Sequence, residues 1–317
     1  MTAFPKFLQT GDLVAIVSPS GPIDISYIEK GTEILESWGL QVWTAPHVCA
    51  HSGVFAGTEE ERTADMQTAL DNPEICAIFC SRGGYGAIRI VEKLDYTAFL
   101  QNPKWIVGFS DITIFHSKIN TLGVVSIHGA MPKNFETIHA QSLQSLQNII
   151  FGEQKAIAWH ANTSTGSATM CNKQGSAQGK LVGGNLSVLY SIRGLSLEYD
   201  YRNAILFIED LNEYVYHIDR MLQNFKLSGI FSQLSGLIVG GMTDMKQGVD
   251  TYGTSIEELI LDVCKDYDFP IAFNFPSGHG ADNEAFIVGQ KYSLCVDTEK
   301  AVLEEVREYS KNFVRLL

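Results

Sequence analysis

The sequence predicts an α/β protein with a mostly parallel sheet covered on both faces, joined to a second α/β domain. Three observations carry this prediction. Over residues 13–131 short apolar runs alternate with segments of helical spacing, the pattern of βαβ units. The turns that close the runs are polar or glycine-rich and fall just past the ends of the runs. The 317 residues also exceed one average domain and suggest two.

The elements follow in order. "LVAIVSPSG" (13–21) is an apolar strand ending in turn residues, and "SYIEKGTEILESWGL" (26–40) is helical with a stop at Gly39. "QVWTAP" (41–46) is a strand, "EERTADMQTALDN" (60–72) a helix, and "ICAIFCSRGGYG" (75–86) a strand running into glycines. "AIRIVEKL" (87–94) is helical. "WIVGFSD" (105–111) is a strand with a serine at its exit, "ITIFHSKINTL" (112–122) a helix, and "VVSIHGAM" (124–131) a buried strand. In an open parallel sheet the turns at 18–21, 81–84, 110–111 and 128–129 share one edge, where ligands bind. Residues 153–178, rich in Ser, Thr, Gly and Asn and without a clear period, are expected to link domain 1–152 to domain 179–317. In the second half "NAILFIED" (203–210) is a strand ending in two carboxylates, "VYHIDRMLQNFKLSGI" (215–230) a helix, and "LSGLIVGGM" (234–242) a strand with a glycine exit. "SIEELILDVCKDY" (255–267) is an amphipathic helix capped by Ser255. "PIAFNFPSGHGADN" (270–283) is a strand running into a loop that holds His279, and two closing strands follow.

Composition removes several classes of function. A formal charge of −13, with no basic stripe, repels phosphate, so nucleic acid and anionic membranes are poor partners. No run approaches the 18 apolar residues of a membrane span, and the N-terminus has no secretion pattern, so the cytoplasm is expected. The six cysteines are scattered without C-x-x-C spacing; Cys76, Cys80, Cys264 and Cys295 sit in apolar runs and serve as small hydrophobes. None of the eight histidines makes a metal-binding motif, and no metal or cofactor is expected; His128 and His217 are read as satisfied structural residues.

The candidate chemistry is nucleophilic. A serine hydroxyl needs a base, commonly an imidazole oriented by a carboxylate. Ser110, then Glu209 or Asp210, then His279 follow one another in nucleophile–acid–base order, with Glu213 a competing acid. Gly108 supplies the small residue a tight turn needs before Ser110, whereas Ile112 stands where an elbow would carry its second glycine. The bland alternatives are a helix cap at Ser110, solvated carboxylates at 209–210 and an exposed loop histidine. "SRGGYG" (81–86) lacks the P-loop lysine but could aim backbone N–H groups at an oxyanion, and Arg82 could grip a substrate carboxylate or form a structural salt bridge.

Taken together, "VAIVSPSGP" (14–22), "SRGGYGA" (81–87), "IVGFSDIT" (106–113), "HGAM" (128–131), "LVGGNLSVL" (181–189), "LFIEDLNE" (206–213), "HIDRML" (217–222) and "GHG" (278–280) resemble the serine L,D-carboxypeptidases of peptidase family S66, the muramoyltetrapeptide carboxypeptidases. The resemblance implies a flavodoxin-like or class I amidotransferase-like N-terminal domain and a smaller mixed α/β swivelling domain. It implies a nucleophile at Ser110, a relay acid at Glu209, a base at His279, and an oxyanion hole of the Gly84 and Asp111 N–H groups. It implies release of the terminal D-alanine from a murein tetrapeptide in peptidoglycan recycling, without metal, by a homodimer. Three rivals stand beside it. A self-immunity peptidase of the same family would cleave a peptide–nucleotide antibiotic, for which Trp159 could supply an aromatic. A non-catalytic module would bind a small peptide or sugar. An amidotransferase-like enzyme would use Cys80.

Overall fold

A computed structural model describes residues 2–153, 156–160, 172–248 and 251–306. The first half runs β1 (Leu13–Val17), α1 (Ile25–Ser37), β2 (Gln41–Thr44), α2 (Glu59–Asp71), β3 (Ile75–Cys80), α3 (Ala87–Ile90), α4 (Thr97–Gln101), β4 (Trp105–Gly108), α5 (Thr113–Thr121), β5 (Ser126–His128) and α6 (Ala140–Ile150). The second runs β6 (Ile157–His160), β7 (Gly175–Asn185), α7 (Leu186–Ser191), β8 (Ile205–Leu211), α8 (Val215–Leu227), β9 (Gly236–Thr243), α9 (Ile256–Val263), β10 (Ile271–Ala272), β11 (Phe286–Val288), β12 (Lys291–Val296) and β13 (Lys300–Glu305).

The first sheet has the order β11-β5-β4-β3-β1-β2. β2, β1, β3, β4 and β5 are parallel, in the flavodoxin-like order 2-1-3-4-5. The central strands β1, β3 and β4 are almost wholly apolar because helices cover both faces, whereas the edge strand β2 is partly exposed. The second sheet, β10-β9-β8-β7-β12-β13-β6, is mixed. β10, β9, β8 and β7 are parallel, and β12, β13 and β6 add antiparallel strands. The predicted α/β class, one parallel-sheet unit and one mixed unit, is the architecture observed.

Local chemistry explains the elements. α2 starts in a capping box, Thr58 with Glu61, and its first turn holds three glutamates against the positive end of the helix dipole. Ser255 caps α9 as expected, with Glu258 closing the box. α1 ends at Gly39, whose φ of +86° suits a residue without a Cβ.

Several expectations need correction. The 87–94 helix is only one turn, α3, followed by a 3₁₀ turn at Val91–Lys93. The 153–178 stretch is not all connection: β6 pairs with β13, and β7 already begins at Gly175. Residues 161–171 lie outside the described part. Trp159 is buried in β6, its indole Nε1 donating to the Phe273 carbonyl at 2.8 Å. Cys295 is exposed rather than packed, and Cys76 is half-buried. The chain also crosses back: β11 pairs antiparallel with β5, so a strand from the second half completes the first sheet. Phe207, Phe275 and Phe286 pack edge to face at 5.0–5.7 Å where the two sheets meet. Burial of each such ring contributes up to about 3 kcal/mol.

Candidate active site

The four turns expected on one edge do meet there. Ser18 Oγ and Ser81 Oγ share a 2.6 Å hydrogen bond across the β1/β3 switch point, and Gly21 N donates to the Gly83 carbonyl at 3.1 Å. Gly129 N donates to the Gly108 carbonyl at 3.2 Å. Ser20 Oγ donates to Asp111 Oδ2 at 2.6 Å.

Ser110 is not a helix cap. β4 ends at Gly108, Phe109 stays extended, and Ser110 turns to φ +64° before the 3₁₀ turn Ser110–Ile112 leads into α5. A left-handed serine costs of order 1 kcal/mol and persists where its surroundings over-determine it. Two glycines make room. A Cβ on Gly108 would lie 2.9 Å from the Ile112 side chain, so the residue in the missing glycine's place packs over the strand end. A Cβ on Gly83 would lie 2.9 Å from Ser110 Oγ, so the "SRGG" turn lies directly against the hydroxyl.

Asp111 ties these turns together. Buried, its Oδ2 accepts from Ser20 Oγ and, at 2.9 Å, from Ala87 N. Burial raises its pKa, and these two bonds and Arg62 oppose the rise. Arg62, also buried, donates to the Pro19 and Gly86 carbonyls at 2.8 and 3.0 Å. The Gly86 end of the turn is thereby held, while the Gly21–Gly83 bond holds its start, with Gly84 exposed at φ +111°. Arg82 forms no salt bridge among the described residues. Its guanidinium donates to the Pro22 and Gly83 carbonyls, neither of which carries a negative charge.

The second half supplies the acid and imidazole. Glu209, fully buried in β8, accepts from His279 Nδ1 through Oε2 at 2.6 Å. An ionised carboxylate only accepts, so Nδ1 carries the proton and Nε2 is left as the basic nitrogen. Burial pulls the His279 pKa down, but the Glu209 charge, its hydrogen bond and the Asp210 charge outweigh it, and the net shift is upward. The imidazole lies edge-on to Phe109, centroids 5.0 Å apart, beside the residue that precedes Ser110.

Neither carboxylate of the "ED" pair is solvated. A register shift between β8 and β9 at Ile208/Asp210 lets both be buried. Asp210 accepts from Asn185 Nδ2 at 3.0 Å and Ser187 N at 2.8 Å, serving the start of α7. Burial, then the Glu209 charge, push its pKa up to about 6. Glu213 is bonded to His217 Nδ1 at 2.6 Å, not to His279. Cys80 is buried in β3, and burial raises its thiol pKa, so it stays protonated and inert.

The His279 loop is seated by glycines and one asparagine. A Cβ on Gly240 would lie 2.5 Å from the Ser277 carbonyl, and one on Gly278 would lie 3.1 Å from Glu209 Oε2. Asn283 Oδ1 accepts from Ser277 Oγ at 2.9 Å and Gly278 N at 3.3 Å. Sequence reading missed Asn283, Arg62 and the tie from Ser20. Their partners lie on other elements, and only the polar "GHGADN" composition hinted at Asn283. Among the described residues no group of three or more His, Cys, Asp or Glu could hold a metal, and no helix is long and apolar enough to cross a membrane.

A two-sheet α/β frame that sets a carboxylate-bound imidazole against Phe109, the neighbour of a strained serine, is the arrangement a serine hydrolase would use. The chain belongs to the LD-carboxypeptidase family, peptidase S66: the models of its N-terminal and C-terminal domains match residues 14–129 and 178–294. It is 31% identical over 304 residues to a probable murein peptide carboxypeptidase of Bacillus subtilis, covering 95% of this chain and 94% of the other. It is 29% identical over 307 residues to the murein tetrapeptide carboxypeptidase of Pseudomonas aeruginosa, covering 92% and 96%. The structure of muramoyltetrapeptide carboxypeptidase from Oxalobacter formigenes superposes with a TM-score of 0.83 at 26% identity, over 93% of this chain and 99% of that one. The microcin C7 self-immunity protein of Escherichia coli is 23% identical over 329 residues, covering 94% of each chain.

Proposed function

We propose that this protein is a serine carboxypeptidase that removes the terminal D-alanine from murein tetrapeptides in the cytoplasm. The observation that carries the reading is the 2.6 Å bond between His279 and the buried Glu209, lying against the turn that presents Ser110. His279 Nε2 takes the Ser110 proton, and Oγ attacks the amide carbonyl joining the L-configured centre to D-alanine. The N–H groups of Gly84 and Asp111 receive the oxyanion, each worth about 3 kcal/mol in the transition state. His279 then protonates the leaving amine, and water, activated by the same imidazole, hydrolyses the acyl-enzyme. Glu209 holds the tautomer and stabilises the imidazolium. Arg82, whose charge no carboxylate among the described residues neutralises, is suited to the free carboxylate of the D-residue. Every proton step is served by these side chains without a metal.

The likeness to the murein peptide carboxypeptidases of Bacillus subtilis and Pseudomonas aeruginosa supports the murein reading. The antibiotic-cleaving alternative loses the aromatic that the sequence offered, because Trp159 is buried with its indole N–H engaged. A homodimer is expected from the resemblance and is checked by light scattering. The test of function is mass spectrometry of a murein tetrapeptide incubated with wild type and with Ser110→Ala. Loss of one alanine with wild type alone is the expected result; loss with both proteins excludes Ser110 as nucleophile.

A further inference from the structure

We propose that His128 and Asn283 are positioning residues for Glu209, serving the carboxylate oxygen that His279 does not use, directly or through one bridging water. The proposal rests on the Ser110–His279–Glu209 reading above. His128 ends β5 and is fully buried. Its ring stacks on Phe286 at 4.7 Å, meets Phe207 edge-on at 5.2 Å and leans on Phe109 at 5.8 Å. Phe109 precedes Ser110, Phe207 lies two residues before Glu209, and Phe286 opens the strand that follows the His279 loop. One imidazole therefore touches the supports of all three site residues.

The box is aromatic in shape, and a phenylalanine would fill it. The histidine needs a polar reason. Among the described residues both His128 nitrogens, Asn283 Nδ2 and Glu209 Oε1 are buried without a well-aligned hydrogen bond, although the Asn283 side chain comes close enough to His128 to favour its protonated form. Such orphans are rare in folded proteins, and these complement one another. The amide has two N–H donors to give, the carboxylate oxygen accepts, and a neutral imidazole does one of each. Asn283 and Glu209 also lie against the same residue, Gly278. Asn283 Oδ1 accepts from Gly278 N, and a Cβ on Gly278 would lie 3.1 Å from Glu209 Oε2. Burial first, then the neighbouring His116 and His279, hold His128 neutral against the opposing pull of the Asn283 side chain. Of these neighbours, His279 in turn feels the charges of Glu209 and Asp210.

The test compares wild type, His128→Phe, His128→Gln and Asn283→Asp. Four quantities are read: phosphonylation of Ser110 by a fluorophosphonate, kcat and KM on the murein tetrapeptide, the downfield proton signal of His279 Nδ1–H, and the melting temperature. In the probe reaction Ser110 Oγ bonds phosphorus, fluoride leaves and His279 takes the proton, so it reports the site without the peptide. His128→Phe is expected to melt no lower than wild type. It should lose about 10-fold to 100-fold in phosphonylation and kcat, the scale of one hydrogen bond to a charged group, with KM unchanged and the proton signal displaced. His128→Gln should recover part of the loss. Asn283→Asp keeps the acceptor for Ser277 and Gly278 but sets an oxygen against Glu209. It should fall further and move the acid limb of kcat/KM upward. Wild-type rates and an unmoved proton signal in His128→Phe would overturn the proposal; if that variant melts early, His128→Gln and Asn283→Asp decide it in the same way. Wild type that is phosphonylated but releases no alanine overturns the substrate reading alone, and the phosphonylation rates still decide this one. Wild type that is not phosphonylated overturns both.

Discussion

At Ser110 the backbone and the hydroxyl make opposing demands. The φ of +64° suits glycine, yet the position holds a serine packed against Gly83. Ser110→Gly should therefore release no alanine and unfold in urea with about 1 kcal/mol more stability. A less stable variant would show that the turn is not strained. His279 governs the pH dependence. A base must be neutral to accept a proton, and its pKa is raised, so the acid limb of kcat/KM should lie above the ordinary imidazole value of 6.5. Glu209→Gln removes the charge that raises it. The limb should then move to lower pH while kcat falls roughly 10⁴-fold, as the wrong tautomer is populated. An unmoved limb in a pH–rate profile would detach Glu209 from the base. By linkage, the pair adds stability below the unfolded imidazole pKa, and that stability is lost as pH rises through the folded one.

Among the elements, β7 and α5 hold the two halves of the site in register. Asn185 N donates to Thr113 Oγ1 at 3.1 Å, three residues along the chain from the serine. Gly184 sits at φ +145°, and a Cβ there would meet Thr113 Oγ1 at 2.4 Å. Thr113 is short and buried and cannot swing aside. Gly184→Ala should cost about 3 kcal/mol in urea denaturation and lower the rate with it, because α5 carries the turn that presents Ser110. Stability within a few tenths of wild type would disprove the close approach. Much at this scale was legible in the sequence. The buried strands showed as apolar runs, Ser255 announced α9, and Gly108 marked the turn. The β8 shift that buries both Glu209 and Asp210 was not legible, because a bulge is set by the partner strand. Nor was β6, whose few residues gain their order from β13.

Over the whole molecule the two sheets form one structure in which β11 from the second half closes the edge of β5. A fragment ending at residue 153 would leave that edge, with Ile127 wholly buried in the intact protein, open to pairing with other chains. Such a fragment should elute as aggregate in size-exclusion chromatography. A soluble, folded monomer would mean that the first five strands suffice. The site has the same dependence: its serine turn belongs to the first sheet, while its acid and imidazole belong to the second half.

The sequence by itself determined what is local: the alternation of buried strands and helices, the caps, and the polar turns gathered at one sheet edge. Each follows from the spacing of apolar residues and from turn chemistry over a few positions. Only the tertiary structure decided which groups meet. Glu209, not Glu213, binds His279 across 70 residues, Ser20 reaches Asp111 across 91, Trp159 is buried, and His128 is buried beside the Asn283 side chain. Those contacts join residues far apart in the chain. No local preference encodes them, and they exist only once the packing of two sheets has brought their elements together.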